Sequence, residues 1–410
     1  MHMKIKRTLI IIFSLVVLAL LAGYLLDLPW FSALWASTPG PPPPIEEPEP
    51  PPEPTPDIRT ARLVAAGDII VHLTQVEQAF AGGSYDFTPS FSFITPSLQS
   101  ADLTVGNFET VLAGPERGYS GYPAFNTPDE LAQNLKQAGF DLLSTANNHS
   151  LDMGINGLFR TIDCLEEAGL VTFGTYRQPE ERTPLLVEVN GINLFFTAYT
   201  ESTNGIPVPD GYDYAINYIP NFNILDPIIN EITVAREKGA DLVIVYMHWG
   251  HEYHVQPTDF HRDLARQLAI AGADMIIGGH PHVMQPLEWI TVETDDGPPR
   301  QVLVAYSLGN FISNQFHWVP YIPTPKVQYG LLLDVEISKD MESGLTRLSR
   351  ADYDITWVHR NWRHRILPLS EVLSSTALDQ YNLTEEELRA IKAEYDCLRE
   401  EILEKYNFSD

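Results

Sequence analysis

The sequence predicts an α/β domain built on mixed sheets, and three observations carry that prediction. Short apolar runs alternate with amphipathic segments from Arg62 onward, the pattern of strands layered with helices. Several of the amphipathic segments end in glycine, as helices commonly do. An Asn-Gly pair divides PLLVEVNGINLFFTAY (184–199) into two apolar halves, which marks a hairpin and so an antiparallel strand pair.

The elements follow in order. ARLVAAGD (61–68) is a strand ending in a turn. In TPDELAQNLKQAG (127–139), Thr127 is read as the N-cap, Pro128 as the first helical residue, Glu130 as the capping-box partner and Gly139 as the stop. FDLLSTANNH (140–149) is a strand running into a loop, and INGLFRTIDCLEEAG (155–169) is a second helix with a terminal glycine. After the hairpin at Asn190 and Gly191, a helix through ITVAREKG (232–239) feeds the strand DLVIVYMH (241–248). The helix DFHRDLARQLAIAG (259–272) feeds ADMIIGGHPH (273–282). VLVAYSLGNF (302–311) and YGLLLDVEIS (329–338) are further strands, and TEEELRAIKAEYDCLREEILEKY (384–406) is an acidic helix packed at the edge.

Composition narrows the function. The 410 residues include 26 Lys and Arg against 54 Asp and Glu, a formal charge of −28, with 44% hydrophobic residues. That is enough apolar material for a large core. The charge excludes a basic nucleic-acid binder, because phosphates would be repelled. Only six of the acidic residues lie in the first 57 positions, so the acidity belongs to the folded part and disfavours a polyanion unless cations assist. Two cysteines, Cys164 and Cys397, cannot build a disulfide framework or a Cys-rich zinc module. A metal site in this chain must therefore use His, Asp, Glu and Asn.

The N-terminal segment (1–37) places Lys4, Lys6 and Arg7 before an uncharged run from Thr8 to Leu26. As a helix that run rises about 28 Å, close to the hydrocarbon thickness of a bilayer. It reads as a single membrane anchor with the basic flank in the cytoplasm and the remainder outside the cell, with Trp30 and Trp35 at the interface. The competing reading is a secretory signal peptide cleaved after Ala36. A linker (38–57) follows, with eleven prolines among the residues from Pro39 to Pro56. Such a tract favours extended polyproline II and spans up to ~55 Å at about 3.1 Å per residue. The main domain is expected over 58–370 and an acidic helical segment over 371–410.

Candidate site residues sit where apolar strands end. Asp68 follows LVAAG, and Glu109 follows DLTVGNF. Asn147, Asn148 and His149 follow DLLSTA; His248 follows DLVIVYM; His280 and His282 follow ADMIIGG. Ligands of α/β sheets bind beyond the carboxyl ends of strands, so five such ends point to one shared site. Imidazole and carboxylate suit Zn, Mn, Fe, Co or Ni, singly or as a pair. In HWGHEYH (248–254), His248 extends the strand and is the ligand candidate. Glu252 is read as an acceptor orienting an imidazole, and His251 and His254 as exposed loop residues. His72 is ambiguous, and His261, His317, His359 and His364 have no motif support. No G-x-S-x-G, P-loop or dinucleotide fingerprint is present.

These motifs resemble the bacterial CapA (PgsA) family of poly-γ-glutamate capsule biosynthesis. The resemblance covers roughly 60–335 and rests on AAGDIIVH (65–72), ADLTVGNFET (101–110), GYPAFNTPDELAQNLKQAGFDLLSTANNHSLDMG (121–154), HWGHEY (248–253), GGHPHVMQPLE (278–288) and AYSLGNFISNQ (305–315). It implies a calcineurin-like metallophosphoesterase fold, an α/β/β/α sandwich of two mixed sheets flanked by helices, behind a single N-terminal transmembrane helix. It also implies two divalent ions, Mn, Zn or Fe. Asp68 and His282 would serve the first ion, Glu109 would bridge, and Asn148, His248 and His280 would serve the second. His149 would be the catalytic general acid or phosphate-orienting group. Two departures stand out. Ile70 occupies the histidine position of the D-x-H motif, for which His72 is the candidate substitute, and Asn107 with Glu109 forms N-x-E where the family of phosphoesterases has G-D-x-x-D.

Two functions are expected from different classes. One is a surface-tethered, metal-dependent hydrolase acting on a phosphoester or an anionic, amide-linked polymer. The other is a non-catalytic accessory of a polymer synthase, beside a membrane-bound amide ligase and a small membrane subunit as the family implies. No nucleic-acid partner is expected.

Overall fold

The computed structural model describes residues 2–26, 57–294, 299–316, 322–376 and 378–400. Trp30, Trp35, Ala36, the linker from Pro39 to Pro56 and His317 fall outside the described residues. The chain divides into two units, 1–55 and 56–410. In the first, a helix runs His2–Leu26, and its described side chains, from Ile10 on, are exposed. Among the described residues no helix is long and apolar enough to cross a membrane.

The strands of the second unit are, in chain order, β1 (Ile58–Ile69), β2 (Phe80–Ala81), β3 (Ser84–Tyr85), β4 (Leu103–Phe108), β5 (Leu142–Ser144), β6 (Val171–Phe173), β7 (Leu185–Val189) and β8 (Ile192–Thr200). Then come β9 (Leu242–His248), β10 (Met275–Gly279), β11 (Leu287–Val292), β12 (Arg300–Ala305), β13 (Asn310–Ile312), β14 (Tyr329–Asp340), β15 (Thr346–His359) and β16 (Arg365–Pro368). One sheet has the order β16-β15-β14-β1-β4-β5-β6, with β13 also on β1, and the other has β11-β12-β10-β9-β8-β7. Both are mixed: β1 is parallel to β4 and antiparallel to β14, while β9 is parallel to β8 and β8 antiparallel to β7.

Strand periodicity sets the layers, because successive side chains leave opposite faces. Leu63, Ala65 and Val105 of the first sheet share one buried cluster with Phe196, Ile244 and Ile277 of the second. Their neighbours Val64 and Leu143 face outward onto Leu131 and Leu135 of the helix Glu130–Ala138. Val243 and Val245 face outward onto Ile228 and Leu264, from the helices Asp226–Glu237 and Asp259–Ala271. The result is an α/β/β/α sandwich, in which each fully buried aliphatic side chain contributes about 1.5–3 kcal/mol. The acidic helix Glu385–Leu398 packs Ile391 and Leu398 against the inter-sheet core.

Two expectations need correction, and one strand was not foreseen. Thr127 does not cap a helix: the helix starts at Glu130, and the buried Thr127 hydroxyl lies 2.7 Å from that of Thr110. Tertiary packing has claimed the hydroxyl the cap needed. VLVAYSLGNF is two strands: β12 belongs to the second sheet and β13 pairs with β1 of the first. Gly309 makes the crossing at φ 67°, where a side chain is strained. Finally β15, fourteen residues long, went unread because charged residues fill its exposed half. The hairpin turn at Asn190 (φ 53°) and Gly191 (φ 80°) is as expected, as is the left-handed stop at Gly139.

Candidate metal centre

The ends of β1, β4, β9 and β10 converge. Asp68 and Glu109 are fully buried, His282 and His248 nearly so. Asp68 is held from three sides: Oδ1 accepts from Asn107 Nδ2 at 2.8 Å, and Oδ2 accepts the His280 backbone N–H at 3.2 Å and lies 3.1 Å from His282 Nδ1. Asn107 also donates to Glu109 Oε2 at 3.2 Å, so one amide aligns both carboxylates. The glycines of GGHPH permit the approach. A Cβ on Gly279 would meet Asp68 Oδ1 at 2.5 Å, and one on Gly278 would run into the Tyr306 carbonyl.

His280 and His282 flank Pro281 with φ of 94° and 57°, backbone that non-glycine residues rarely adopt. Such outliers concentrate at functional sites. Here they aim both rings into one pocket, with centroids 5.9 Å apart and His280 4.9 Å from His248.

The donor atoms group into overlapping clusters, each within 4.8 Å: Asp68, Glu109 and His282; Glu109, His248 and His280; and Glu252, His280 and His282. Glu109 is common to the first two. Its Oε1 lies 3.5 Å from His248 Nε2 and 3.8 Å from His282 Nε2, yet has no hydrogen-bond partner, and neither does His280 Nδ1. Buried polar atoms are normally satisfied, and each that is not costs roughly 1–3 kcal/mol. A cation seated among these atoms would satisfy both, so the donor set fits divalent metal.

Electrostatics follows the same arrangement. Burial pushes the Asp68 carboxyl up, but the His282 hydrogen bond and the charges on His282 and His248 outweigh it, and the net shift is downward. Burial pushes His282 down, while Glu109 and Asp68 hold it up, at about 9. His280 is driven well below its ordinary value by burial and by the neighbouring imidazoles. It is thereby kept as a neutral nitrogen donor.

Comparison with known proteins gives the family. Residues 62–315 match the model of the bacterial capsule synthesis protein PGA_cap. The chain belongs to that family. It is 31% identical over 247 residues to the PGA biosynthesis protein CapA of Bacillus subtilis, covering 59% of this chain and 60% of the relative. It is 30% identical over 280 residues to the capsule biosynthesis protein CapA of Bacillus anthracis, covering 66% and 63%. The chain thus spans about three fifths of the length of these relatives. Among solved structures, the calcineurin-like phosphoesterase YfkN from Bacillus subtilis is similar over 72% of this chain and 90% of its own, at 15% identity and a TM-score of 0.42. The four-layer order stands on the chain's own strand pairing.

Within this family member the remaining expected residues take distinct places. Asn148 Oδ1 lies 2.9 Å from His248 Nε2, beside the second cluster. Asn147 instead ties the strand ends together, donating to the Phe108 carbonyl at 2.8 Å and to Asn107 Oδ1 at 3.2 Å. Asn107 donates to both carboxylates, and its Oδ1 accepts from Asn147. Glu252 has its carboxylate among the donor atoms themselves, not behind an imidazole. His72 belongs to none of the clusters among the described residues; its Nδ1 lies 3.3 Å from both the Asn314 amide nitrogen and Gln75 Oε1.

Two residues were missed. Asp152 Oδ2 lies 2.8 Å from His149 Nδ1 and accepts the Phe125 N–H at 2.7 Å, so a buried carboxylate fixes the ring. Its signal was present, three residues after His149 in NNHSLD. Asn204 reaches Asn148 Nδ2 at 3.1 Å from a loop beyond β8. No local pattern announces it.

Proposed function

We propose that this chain is a membrane-tethered, extracellular member of the capsule-synthesis family, carrying a dinuclear, metal-dependent phosphoesterase-type hydrolase site and serving synthesis or export of an anionic envelope polymer of the poly-γ-glutamate type. The observation that carries the reading is Glu109, shared by two donor clusters and left with an unpartnered buried oxygen. That is what a carboxylate bridging two ions requires. The names of the CapA relatives support the polymer context. Tethering is supported by the sequence of the run from Thr8 to Leu26 with its basic flank.

Asp68 and His282 would hold one ion, His248, His280 and Asn148 the other, with Glu109 between them. The ions, when bound, would lower the pKa of bound water and polarise the scissile phosphoryl or carbonyl group. The chain's own residues do the rest. Asp152 accepts from Nδ1–H and fixes the direction of the His149 ring, so that Nε2 can orient the scissile group or, when the ring carries a second proton, give that proton to a leaving oxygen. Asn204 holds the Asn148 amide in place. Asn107 keeps both carboxylates aligned.

A second reading, an accessory subunit that uses the metal structurally beside a membrane-bound amide ligase, is favoured by the missing D-x-H histidine at Ile70. Two variants separate the readings. His280→Ala should lower metal content and thermal stability, since bound metal stabilises the fold. His149→Ala should keep metal and melting temperature but lose about 10²–10⁴-fold in turnover of phosphoester or γ-glutamyl substrates. Full capsule-supporting function in cells expressing His149→Ala would select the accessory reading. A protein that fractionates as soluble, starting near Ser37, would remove the tether.

A further inference from the structure

The chain has twice as many acids as bases, and many of its arginines are matched. Arg62, Arg160 and Arg177 each reach a carboxylate at 2.7 Å. The turn joining β15 to β16 breaks this rule. Arg360, Arg363 and Arg365 lie within six positions, and among the described residues none of them forms an ion pair. Arg360 is shifted downward by burial alone, and Arg365 by burial and by Arg363. No carboxylate acts on either.

Aromatic faces hold two of these guanidinium groups. Arg360 lies over the Phe316 ring at 3.5 Å, and Arg365 over Trp362 at 3.8 Å. Arg363 donates to the Gln78 carbonyl at 3.0 Å. Stacking fixes a guanidinium plane and leaves its N–H edges available, the form in which arginine recognises carboxylate or phosphate bidentately. All three side chains are partly exposed.

This island is linked to the metal centre through packed side chains. Arg360 Nε donates to Asn314 Oδ1 at 3.2 Å, and the Asn314 amide nitrogen lies 3.3 Å from His72 Nδ1. The His72 ring meets Phe125 edge-on at 5.3 Å, and Phe125 meets His149 at 4.7 Å. A chain of packed side chains therefore runs from Arg360 through Asn314, His72 and Phe125 to His149.

We infer that Arg360 and Arg363 form a docking subsite for an anionic polymer chain, one that carries repeated carboxylate or phosphate groups and is led by this rim toward the metal centre. The inference deepens the hydrolase reading, on which it rests for the direction of the chain, by placing where the polymer docks. It also answers the charge problem: a chain this acidic repels a polyanion everywhere except where unpaired cations are concentrated.

The test is equilibrium binding by the full chain at low salt in the presence of a chelator, with fluorescent γ-linked glutamate oligomers in one arm and linear polyphosphate in the other. The wild-type chain should bind at least one probe, and the tighter arm assigns carboxylate or phosphate. Arg360→Gln combined with Arg363→Gln should weaken that binding by about tenfold or more, the scale of charge-assisted hydrogen bonds, with unchanged melting. The corresponding pair of lysine variants should recover part of the loss. Arg350→Gln, which removes the same kind of charge beside Asp334 and Asp352, should change nothing. His280→Ala should bind as wild type does, so a failed hydrolase reading would leave this result standing. Binding of neither probe, equal loss in Arg350→Gln, or loss in His280→Ala would each overturn the subsite.

Discussion

The two sheets contribute different chemistry to one pocket. The first sheet supplies both carboxylates, Asp68 from β1 and Glu109 from the residue after β4, together with the Asn107 amide on β4 and, from the loop after β5, the Asn148 amide and the His149 ring. The second supplies imidazoles: His248 from β9, and His280 and His282 from the turn after β10. Neither half is stable chemistry alone. Two fully buried carboxylates without counter-charge are costly, and burial, reinforced by neighbouring imidazoles, pushes His280 well down. The difference teaches that the site is an interface between sheets, in which each half neutralises the other.

The largest effect should come from removing an acceptor that serves both halves. Asp68→Ala would strand His282, the His280 N–H and Asn107 together. Loss of one partner from a buried pair costs about 3–5 kcal/mol, measurable by chemical denaturation. If Asp68→Ala instead costs no more than an exposed substitution, the halves are not coupled.

A smaller effect should follow from crowding the seam. Gly279→Ala places a methyl against Asp68 Oδ1, and overpacking of this kind costs about 1–3 kcal/mol. Metal content should fall with stability, because the same carboxylate is displaced. Normal metal content in a destabilised Gly279→Ala protein would separate packing from the site.

The smallest effect should lie on the first sheet's own side. His364 lies 2.8 Å from Gln78 Oε1 and 2.9 Å from Asn314 Oδ1. Burial, then Arg360 and His72, push its imidazole down to about 3. The folded protein therefore keeps it neutral while the unfolded chain, with an ordinary value near 6.5, takes up a proton. Its contribution is fully present above about pH 6.5 and is lost as the pH falls toward 3. Melting curves between pH 7 and 4 should show a shallower decline in His364→Gln than in wild type. An identical decline would assign acid sensitivity elsewhere.

Much of this was legible in the sequence. Strands marked by short apolar runs, helices closed by Gly139 and Gly272, and the Asn190-Gly191 turn are local, since backbone preference and hydrophobic patterning act over a few residues. The strand-end rule likewise located Asp68, Glu109, Asn148, His248, His280 and His282, because each polar residue directly follows an apolar run. Asp152 was legible too, since it is separated from His149 by only three positions.

Other features belong to tertiary structure. Thr127 looked like a cap, and only the neighbouring Thr110 diverted its hydroxyl. Asn204 gains its position from a loop of the second sheet reaching Asn148 of the first, and Glu252 from the loop after β9 folding onto the turn after β10, contacts between positions far apart in sequence that no local pattern encodes. The sequence by itself determined which residues end strands and what donors they carry. The chain path decided how they meet: at Gly309 it leaves the second sheet, its carbonyl accepts the Asp68 N–H at 2.9 Å, and Asn310 pairs beside Asp68. That crossing pins the end of β1 between the sheets. The physical reason is that sheet-to-sheet registry is set by the shared core and by long-range backbone pairing, and the carboxylates and imidazoles tolerate burial only after both are in place.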